Sequence, residues 1–368
     1  MNSAKRDEWN VIESLLPDGW QASARTTRAF RRVRYTSEPR DLLRLLLFHA
    51  VNGSGLRETV AQAKAAGLAS MSQVGLYKRL KTSGAWLEWI AAHQAAALRE
   101  RPRVPNGMRL RAIDSTIISQ PASTGTDWRL HYTLDLETLG CDWCELTDAH
   151  GAELIERTPV KKGDVLLGDR NFLRPAGVRT VVDSGGDVVV RLRWTHSAMT
   201  DTKGRAFKAL THARRLRVGQ VGDWKVRLGV AGKPIVEGRV VAMRLPAPLA
   251  AKAERRVVKS AQRKVKKIDA RSLEAAHFVL LFTTLSHAKL DGARVLNLYR
   301  CRWQIELAFK RLKQLLKLGQ LPHKQPAAAR SWIAAKLVVA LMLETLFRNA
   351  RAFSPWGYDI SILETIAA

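Results

Sequence analysis

Along the first hundred residues, apolar positions recur at helical spacing. Leu42 to Val51 makes a compact apolar helix. The run Gly55–Gly67 predicts a second helix, stopped by its terminal glycine, and Leu68-Ala69-Ser70 reads as a tight turn. Met71–Lys81 predicts a third, basic helix. Helix, glycine turn and basic helix make a helix-turn-helix shape, with Gln73, Lys78, Arg79 and Lys81 at exposed positions. An ordinary helical hairpin has the same pattern. Trp86 and Trp89 on the next helix read as core. Pro102, Pro105, Asn106 and Gly107 then mark a boundary.

Beyond it the pattern changes to strands. Met108–Ile118 is a buried-strand candidate with Asp114 in its middle. Leu130–Leu136 and Cys141–Thr147 follow as antiparallel partners, with Gly140 in the turn. Asp164–Arg170 predicts a second buried strand ending at Asp169, Pro175–Asp183 a helix, and Val188–Trp194 a third strand. Meandering strands followed by alternating helix and strand imply an α/β order with a mixed sheet. Residues 195–277 interrupt that order with β-rich pieces, Trp224–Leu228 and Val236–Leu245, and a very basic stretch. Phe278–Thr284 is a strand leading back to the sheet, and Ala327–Phe353 a long Ala/Leu-rich helix.

One run stands apart. Tyr299, Arg302, Glu306 and Lys313 lie at offsets 0, 3, 7 and 14. On a continuous α-helix those offsets fall within about 60° of one another. Ile305, Phe309, Leu312 and Leu316 form an adjacent apolar stripe able to dock on a core. Lys310 and Lys317 join the polar face. A lone acid framed by cations and a phenol suits a site where a metal meets a phosphate backbone. Taken alone, the same face is also what a solvated amphipathic helix presents.

Charge changes the picture. The 368 residues carry 61 Lys+Arg against 33 Asp+Glu, a formal net charge of +28. Such an excess points to a polyanion, nucleic acid above all. It gives the exposed helix-turn-helix residues and the stretch Lys252, Arg255, Arg256, Lys259, Arg263, Lys264, Lys266, Lys267 a phosphate-contact reading. A membrane is not expected: the longest apolar run, around Ile333–Leu346, is cut by Lys336 and Glu344, and the N-terminus has no signal-type apolar segment. The chain is therefore expected in the cytoplasm, associated with the nucleoid. Three cysteines argue against a disulfide scaffold. Cys141 and Cys144 form one C-x-x-C without a second pair, and on a regular strand residues three apart face opposite sides, which spoils a chelate.

Three carboxylates carry the chemistry. Asp114 sits mid-strand among apolar residues, where an acid needs a cation, strong hydrogen bonds or protonation. Asp169 closes its strand, where open α/β sheets place ligand sites. With Glu306 they supply hard oxygen ligands suited to Mg²⁺ or Mn²⁺. Two such ions would support an in-line phosphoryl displacement. Each aspartate taken singly also reads as a structural strand-end acid.

Ala112-Ile113-Asp114-Ser115-Thr116, Gly168-Asp169-Arg170 and the Tyr-x2-Arg-x3-Glu-x6-Lys spacing resemble the IS4 family of insertion-sequence transposases, DDE type and Tn5-like. The likeness spans roughly residues 105–320. It implies an all-α DNA-binding region over residues 1–105 and an RNase H-like catalytic domain over 106–194 and 278–321. It further implies a basic β-rich insertion over 195–277 and a C-terminal helical tail over 322–368. It implies Asp114, Asp169 and Glu306 as the catalytic, metal-binding triad holding two divalent ions. Tyr299, Arg302 and Lys313 would hold the phosphate backbone, with Lys310 beside them. Phe278 stands where relatives stack a flipped base on Trp, with a core strand residue as the alternative. Trp303 either touches DNA or wedges the helix against the sheet. The implied activity is binding of terminal inverted repeats, strand cleavage and transfer of 3′ ends to target DNA, by a homodimer in a synaptic complex. The short tail leaves the dimer interface unassigned. A structure-selective nuclease and a non-catalytic DNA-binding derivative are the alternatives.

Overall fold

The computed structural model describes residues 4–31, 36, 38–99, 107–120, 122–123, 127–195, 199–229, 236–265, 267–314, 316–319 and 321–352. Pro102, Pro105, Asn106 and Lys266 lie outside the described residues. Six helices come first: α1 (Ala4–Glu13), α2 (Trp20–Thr26), α3 (Pro39–Asn52), α4 (Leu56–Ala65), α5 (Gln73–Thr82) and α6 (Gly84–Arg99). Strands β1 (Arg109–Ile118), β2 (Trp128–Asp135), β3 (Cys141–Asp148) and β4 (Asp164–Gly168) follow, then α7 (Pro175–Asp183) and β5 (Asp187–Arg191). Next come β6 (Met199–Thr200), α8 (Ala209–Ala213), β7 (Val221–Leu228), β8 (Val236–Arg244), α9 (Ala247–Arg263) and α10 (Ala270–Ala275). The chain continues through β9 (Phe278–Thr283), α11 (Gly292–Arg300), α12 (Gln304–Gln314) and α13 (Pro326–Ala352). The strands form one mixed sheet in the order β3-β2-β1-β4-β5-β9-β8-β7-β6.

The chain divides into two units. The first comprises Met1–Pro102, Ser115–Ala152 and Glu306–Ile360, the second Arg103–Asp114, Glu153–Ile305 and Ser361–Ala368. These units divide the chain differently from the regions that the resemblance implies. The long C-terminal helix belongs with the N-terminal helices, and residues 199–283 belong with the central strands.

In the first unit α13 packs against α3, α5 and α6. Leu42, Leu45, Leu76, Leu80, Trp86, Trp332 and Val338 are buried there. Local chemistry sets the helix ends. Pro39 opens α3, and Gly53, at φ 65°, ends it in the left-handed region. Ser72 caps α5 by accepting the Gly75 N–H at 3.1 Å. The stretch Pro326–Leu346 is by length and composition apolar enough to cross a membrane, contrary to the expectation from sequence, yet 72% of its most apolar window is buried inside the protein. The charges that interrupt it are used internally. Lys336 donates to the Leu316 carbonyl, and burial lowers its pKa to about 8. Glu344 accepts from the Tyr132 hydroxyl at 2.9 Å and the Cys141 N–H at 2.7 Å.

A buried histidine pair lies in the same unit. Thr59 donates its hydroxyl to the Gly55 carbonyl at 3.0 Å, so it accepts from His49 Nδ1 at 2.9 Å. His49 Nε2 is then the acceptor facing His323 Nε2 at 3.1 Å. Burial lowers the His49 pKa to about 4, with His323 and Lys336 adding to the effect.

The second unit is built on parallel pairs β1–β4 and β4–β5, continued by antiparallel β5–β9, β9–β8 and β8–β7. The β-rich insertion therefore extends the central sheet, with β8 and β9 paired from Arg239↔Thr283 to Arg244↔Phe278. Leu166, Val178, Val188, Val190, Val240 and Phe282 form its core. Parallel strands buried on both faces read as continuous apolar runs, which is why Val165–Leu167 and Val188–Val190 were legible.

Candidate active site

Strand register positions the aspartates. β1 and β4 pair from Arg109↔Asp164 to Ala112↔Leu167. That register runs on toward Asp114 in β1 and toward Asp169, which follows directly after β4 ends at Gly168. β4 and β5 pair to Gly168↔Val190, next to Asp169 and Arg191. Asp114, Asp169 and Arg191 thus come from three neighbouring parallel strands and the turn that follows the middle one. Arg191 is exposed. It escaped sequence reasoning because nothing local marks it; only the register of β5 against β4 does.

The far end of β1 and β4 locks that register. Arg111 is fully buried and donates to Asp164 at 2.8 Å and to the Pro159 carbonyl at 2.7 Å. The Lys161 N–H donates to the same Asp164 oxygen at 2.9 Å. Past the end of β4 the chain turns sharply. Phe172 packs so near that a Cβ on Gly168 would stand 3.1 Å from it, so a side chain at 168 would push that ring away. Asp169 accepts the Asn171 N–H at 2.7 Å, an Asx-type turn that orients its carboxylate. Asn171 in turn accepts from Arg193 at 2.6 Å and donates to Glu153 at 3.1 Å.

The signature run is not one continuous helix. α11 starts on Asp291, which accepts the Arg294 N–H at 2.9 Å, and ends at Arg300. A 3₁₀ turn covers Cys301–Trp303 before α12 begins. Three residues at 3.0 per turn advance about 20° more each than in an α-helix, which rotates α11 relative to α12 by about 60° in all. Tyr299 therefore belongs to α11, Arg302 to the turn, and Glu306, Lys310 and Lys313 to α12, where all three are exposed. The apolar stripe behaves as expected. Ile305, Phe309 and Leu312 are buried, and Phe309 meets Tyr132 edge-on at 5.7 Å.

Arg302 links Asp114 to the signature. Its guanidinium lies 3.6 Å from the Asp114 carboxylate and 5.9 Å from the centre of the Tyr299 ring. Burial raises the Tyr299 pKa, opposed by Arg302 and Arg191, with Asp169 also within electrostatic reach. Asp114, Asp169, Arg191, Tyr299 and Arg302 all belong to the second unit, while Glu306 and Lys313 belong to the first. Among the described residues no three His, Cys, Asp or Glu side chains are grouped so as to hold a metal. The fit to a divalent ion rests on partly exposed hard oxygen donors at Asp114 and Asp169 and on a side-chain cation already paired with Asp114.

The remaining expected residues divide. Phe278 is 4% exposed, within the core cluster and with Arg244 over its ring at 5.9 Å, so the core reading replaces the base-stacking one. Trp303 is 51% exposed and does not act as a wedge. The basic stretch is mostly helix α9, an element that its charge pattern alone had not revealed. Lys252, Arg255, Arg256, Lys259 and Arg263 are exposed there within about 100° of arc. Lys264 and Lys267 are exposed beyond it. In α5, Gln73, Lys78 and Lys81 are exposed, whereas Arg79 is partly buried and donates to the Ala29 carbonyl at 3.4 Å. The cysteine geometry also departs from expectation. The β2–β3 register shifts between Thr133 and Leu134, pairing Tyr132 with Cys144 and Leu134 with Cys141. That bulge cancels the alternation, so the two thiols come within interaction distance, both as free cysteines.

The Transposase DDE domain family matches residues 105–343. The span includes both aspartate motifs and the whole signature run. This chain belongs to the DDE transposases, in the IS4 family. The transposase is 34% identical over 358 residues to “Transposase for insertion sequence element IS421” of Escherichia coli, covering 95% of this chain and 96% of that one. It is equally 34% identical over 357 residues to “Putative transposase InsL for insertion sequence element IS186A” of Escherichia coli (strain K12), with the same coverage. A solved structure, the piggyBac transposase synaptic complex with hairpin DNA, matches 96% of the transposase and 76% of its own chain, at TM-score 0.46 and 9% identity.

Proposed function

We propose that Asp114, Asp169 and Glu306 are the catalytic carboxylates of this transposase, and that it cuts DNA at the element's terminal inverted repeats and joins the freed 3′ ends to target DNA. The observation that supports this is Asp114 on β1 and Asp169 just after the adjacent parallel strand β4, with Arg302 of the signature 3.6 Å from Asp114. A meander β1-β2-β3 followed by parallel β4 and β5 supports an RNase H-like core. Two Mg²⁺ or Mn²⁺ ions held by the three carboxylates would supply Lewis-acid activation of the attacking and leaving oxygens.

The chain's own groups do the rest. Arg191, Arg302 and Lys313 present positive charge to the scissile phosphate, and the Tyr299 phenol, kept protonated by burial, donates a hydrogen bond to it. In cleavage, the oxygen of a water bonds to phosphorus as the 3′-oxygen departs, leaving a 3′-hydroxyl. In joining, that hydroxyl oxygen bonds to a target phosphorus as the target's own 3′-oxygen departs. Stripes of cations on α9 and α5 track flanking duplex DNA through its phosphates. Lys310 and Trp303, exposed beside the signature, extend the contact. The reaction takes place in a two-ended complex of two subunits, at the nucleoid in the cytoplasm.

The test is incubation of purified protein with a fragment bearing the element's own end and Mg²⁺. Wild type cuts and joins; Asp114→Asn, Asp169→Asn and Glu306→Gln bind but do neither. Cleavage by these variants at the wild-type rate overturns the assignment. Cutting without joining favours a nuclease, and binding without cutting by the wild type a non-catalytic derivative.

A further inference from the structure

We propose that Arg302 is a counter-ion latch on Asp114: its guanidinium stands in for the cation that Asp114 takes up in the working complex, and a DNA phosphate draws it away. The inference rests on the reading of Asp114 as a metal ligand.

Three features carry it. The guanidinium stands 3.6 Å from the carboxylate, within ion-pair range. Both partners are reachable from solvent, with side chains 17% and 22% exposed. By contrast, the Arg111–Asp164 pair on the same two strands is closed at 2.8 Å, with side chains 0% and 3% exposed. The latch also sits on the 3₁₀ turn between α11 and α12, where the helix is already interrupted, so Arg302 can swing without unwinding either flank.

The physical consequence is competition. A guanidinium against a carboxylate lowers that carboxylate's affinity for a divalent ion by direct repulsion. A DNA phosphodiester offers the guanidinium an alternative bidentate anionic partner. Arg302 therefore makes DNA and metal binding cooperative: each relieves the unfavourable arrangement that the other meets. Such coupling is reciprocal and typically about fivefold or more. It keeps the carboxylates quenched until a phosphate arrives.

Mn²⁺ binding to the full chain, read by the electron paramagnetic resonance of free Mn²⁺, tests this without any turnover. In the absence of DNA, Arg302→Gln is expected to bind Mn²⁺ about fivefold or more tightly than wild type. Arg302→Lys, which keeps the charge, stays near wild type. A short duplex should tighten wild-type binding by a similar factor and leave Arg302→Gln nearly unchanged, with Asp114→Asn plus duplex reporting background uptake. If Asp114→Asn abolishes binding but Arg302→Gln is no tighter than wild type, the latch is wrong and the metal assignment stands. If Asp114→Asn binds like wild type, both fall. Should Arg302→Gln fail to fold, the wild-type duplex effect decides alone, and its absence overturns the latch.

Discussion

Strand β1 meets two Arg–Asp pairs, one near its start and one at its middle, and they do different work. Arg111–Asp164 is sealed, 2.8 Å long and bonded further to the Pro159 carbonyl and the Lys161 N–H. Arg302–Asp114 is open, longer and shared with Tyr299. The first resembles a rivet, fixing the register of β1 against β4. The second can trade partners. Residue type is the same in both; desolvation separates them, because a buried pair cannot be broken without stranding a charge, whereas a half-exposed one exchanges with water, ions or phosphate.

The largest effect expected at the open end is chemical. Asp114→Asn should lower strand cleavage by about a thousandfold or more, with binding of the element end retained, as measured by gel assay of end cleavage. At the sealed end the largest effect is on stability. Asp164→Ala should destabilise the protein by about 3–5 kcal/mol in urea unfolding, because it takes the Asp164 carboxylate from the fully buried Arg111 guanidinium. Replacing both partners with apolar residues, Arg111→Met with Asp164→Leu, should recover most of that loss. Arg302→Gln should cost under about 1 kcal/mol in the same assay. Equal losses at the two ends would erase the distinction.

A buried pair with no opposite charge gives a third case. His49 and His323 face each other in the first unit, with His49 held neutral down to about pH 4. Its folded pKa is depressed, so between pH 6.5 and 4 the unfolded chain takes up a proton that the folded chain refuses. Stability should therefore fall as the pH drops through that window, by roughly 3 kcal/mol in all. Urea midpoints at about pH 7, 5.5 and 4.5 would read this, and His49→Gln should flatten the slope. The smallest effects lie on α9, where the charges are solvated. Replacing Lys252, Arg255, Arg256, Lys259 and Arg263 by Gln should reduce the slope of log K against log salt by about 0.9 for each phosphate no longer neutralised. Fluorescence anisotropy should show this alike on element-end and unrelated duplexes.

Several features were legible early because they are local. The strand runs around Asp114 and Asp169, the Gly-stopped helix, and the apolar stripe Ile305–Phe309–Leu312 all follow from side-chain periodicity and terminal chemistry. Other features were not legible. The 3₁₀ turn at Cys301–Trp303 has no composition that marks it. The bulge opposite Thr133 and Leu134 reverses the faces expected for Cys141 and Cys144. Phe278 could equally have been a platform or a core residue until its neighbours were known. Arg191 and Arg111 are two arginines among many in a basic chain, and only pairing sets one on the strand beside β4 and the other inside the protein.

The sequence by itself determined the family, the acidic motifs and the signature spacing, because these are patterns of residue type along the chain. It also determined the cationic excess that points to a polyanion. Tertiary structure alone decided which strands are neighbours and which residues are closed from water. Pairing of β1, β4 and β5 brings together the segments that carry Asp114, Asp169 and Arg191, and burial makes one Arg–Asp pair permanent and leaves the other exchangeable. Both depend on contacts between segments far apart in the chain, where the strength of a charge is set by the dielectric that the fold builds around it.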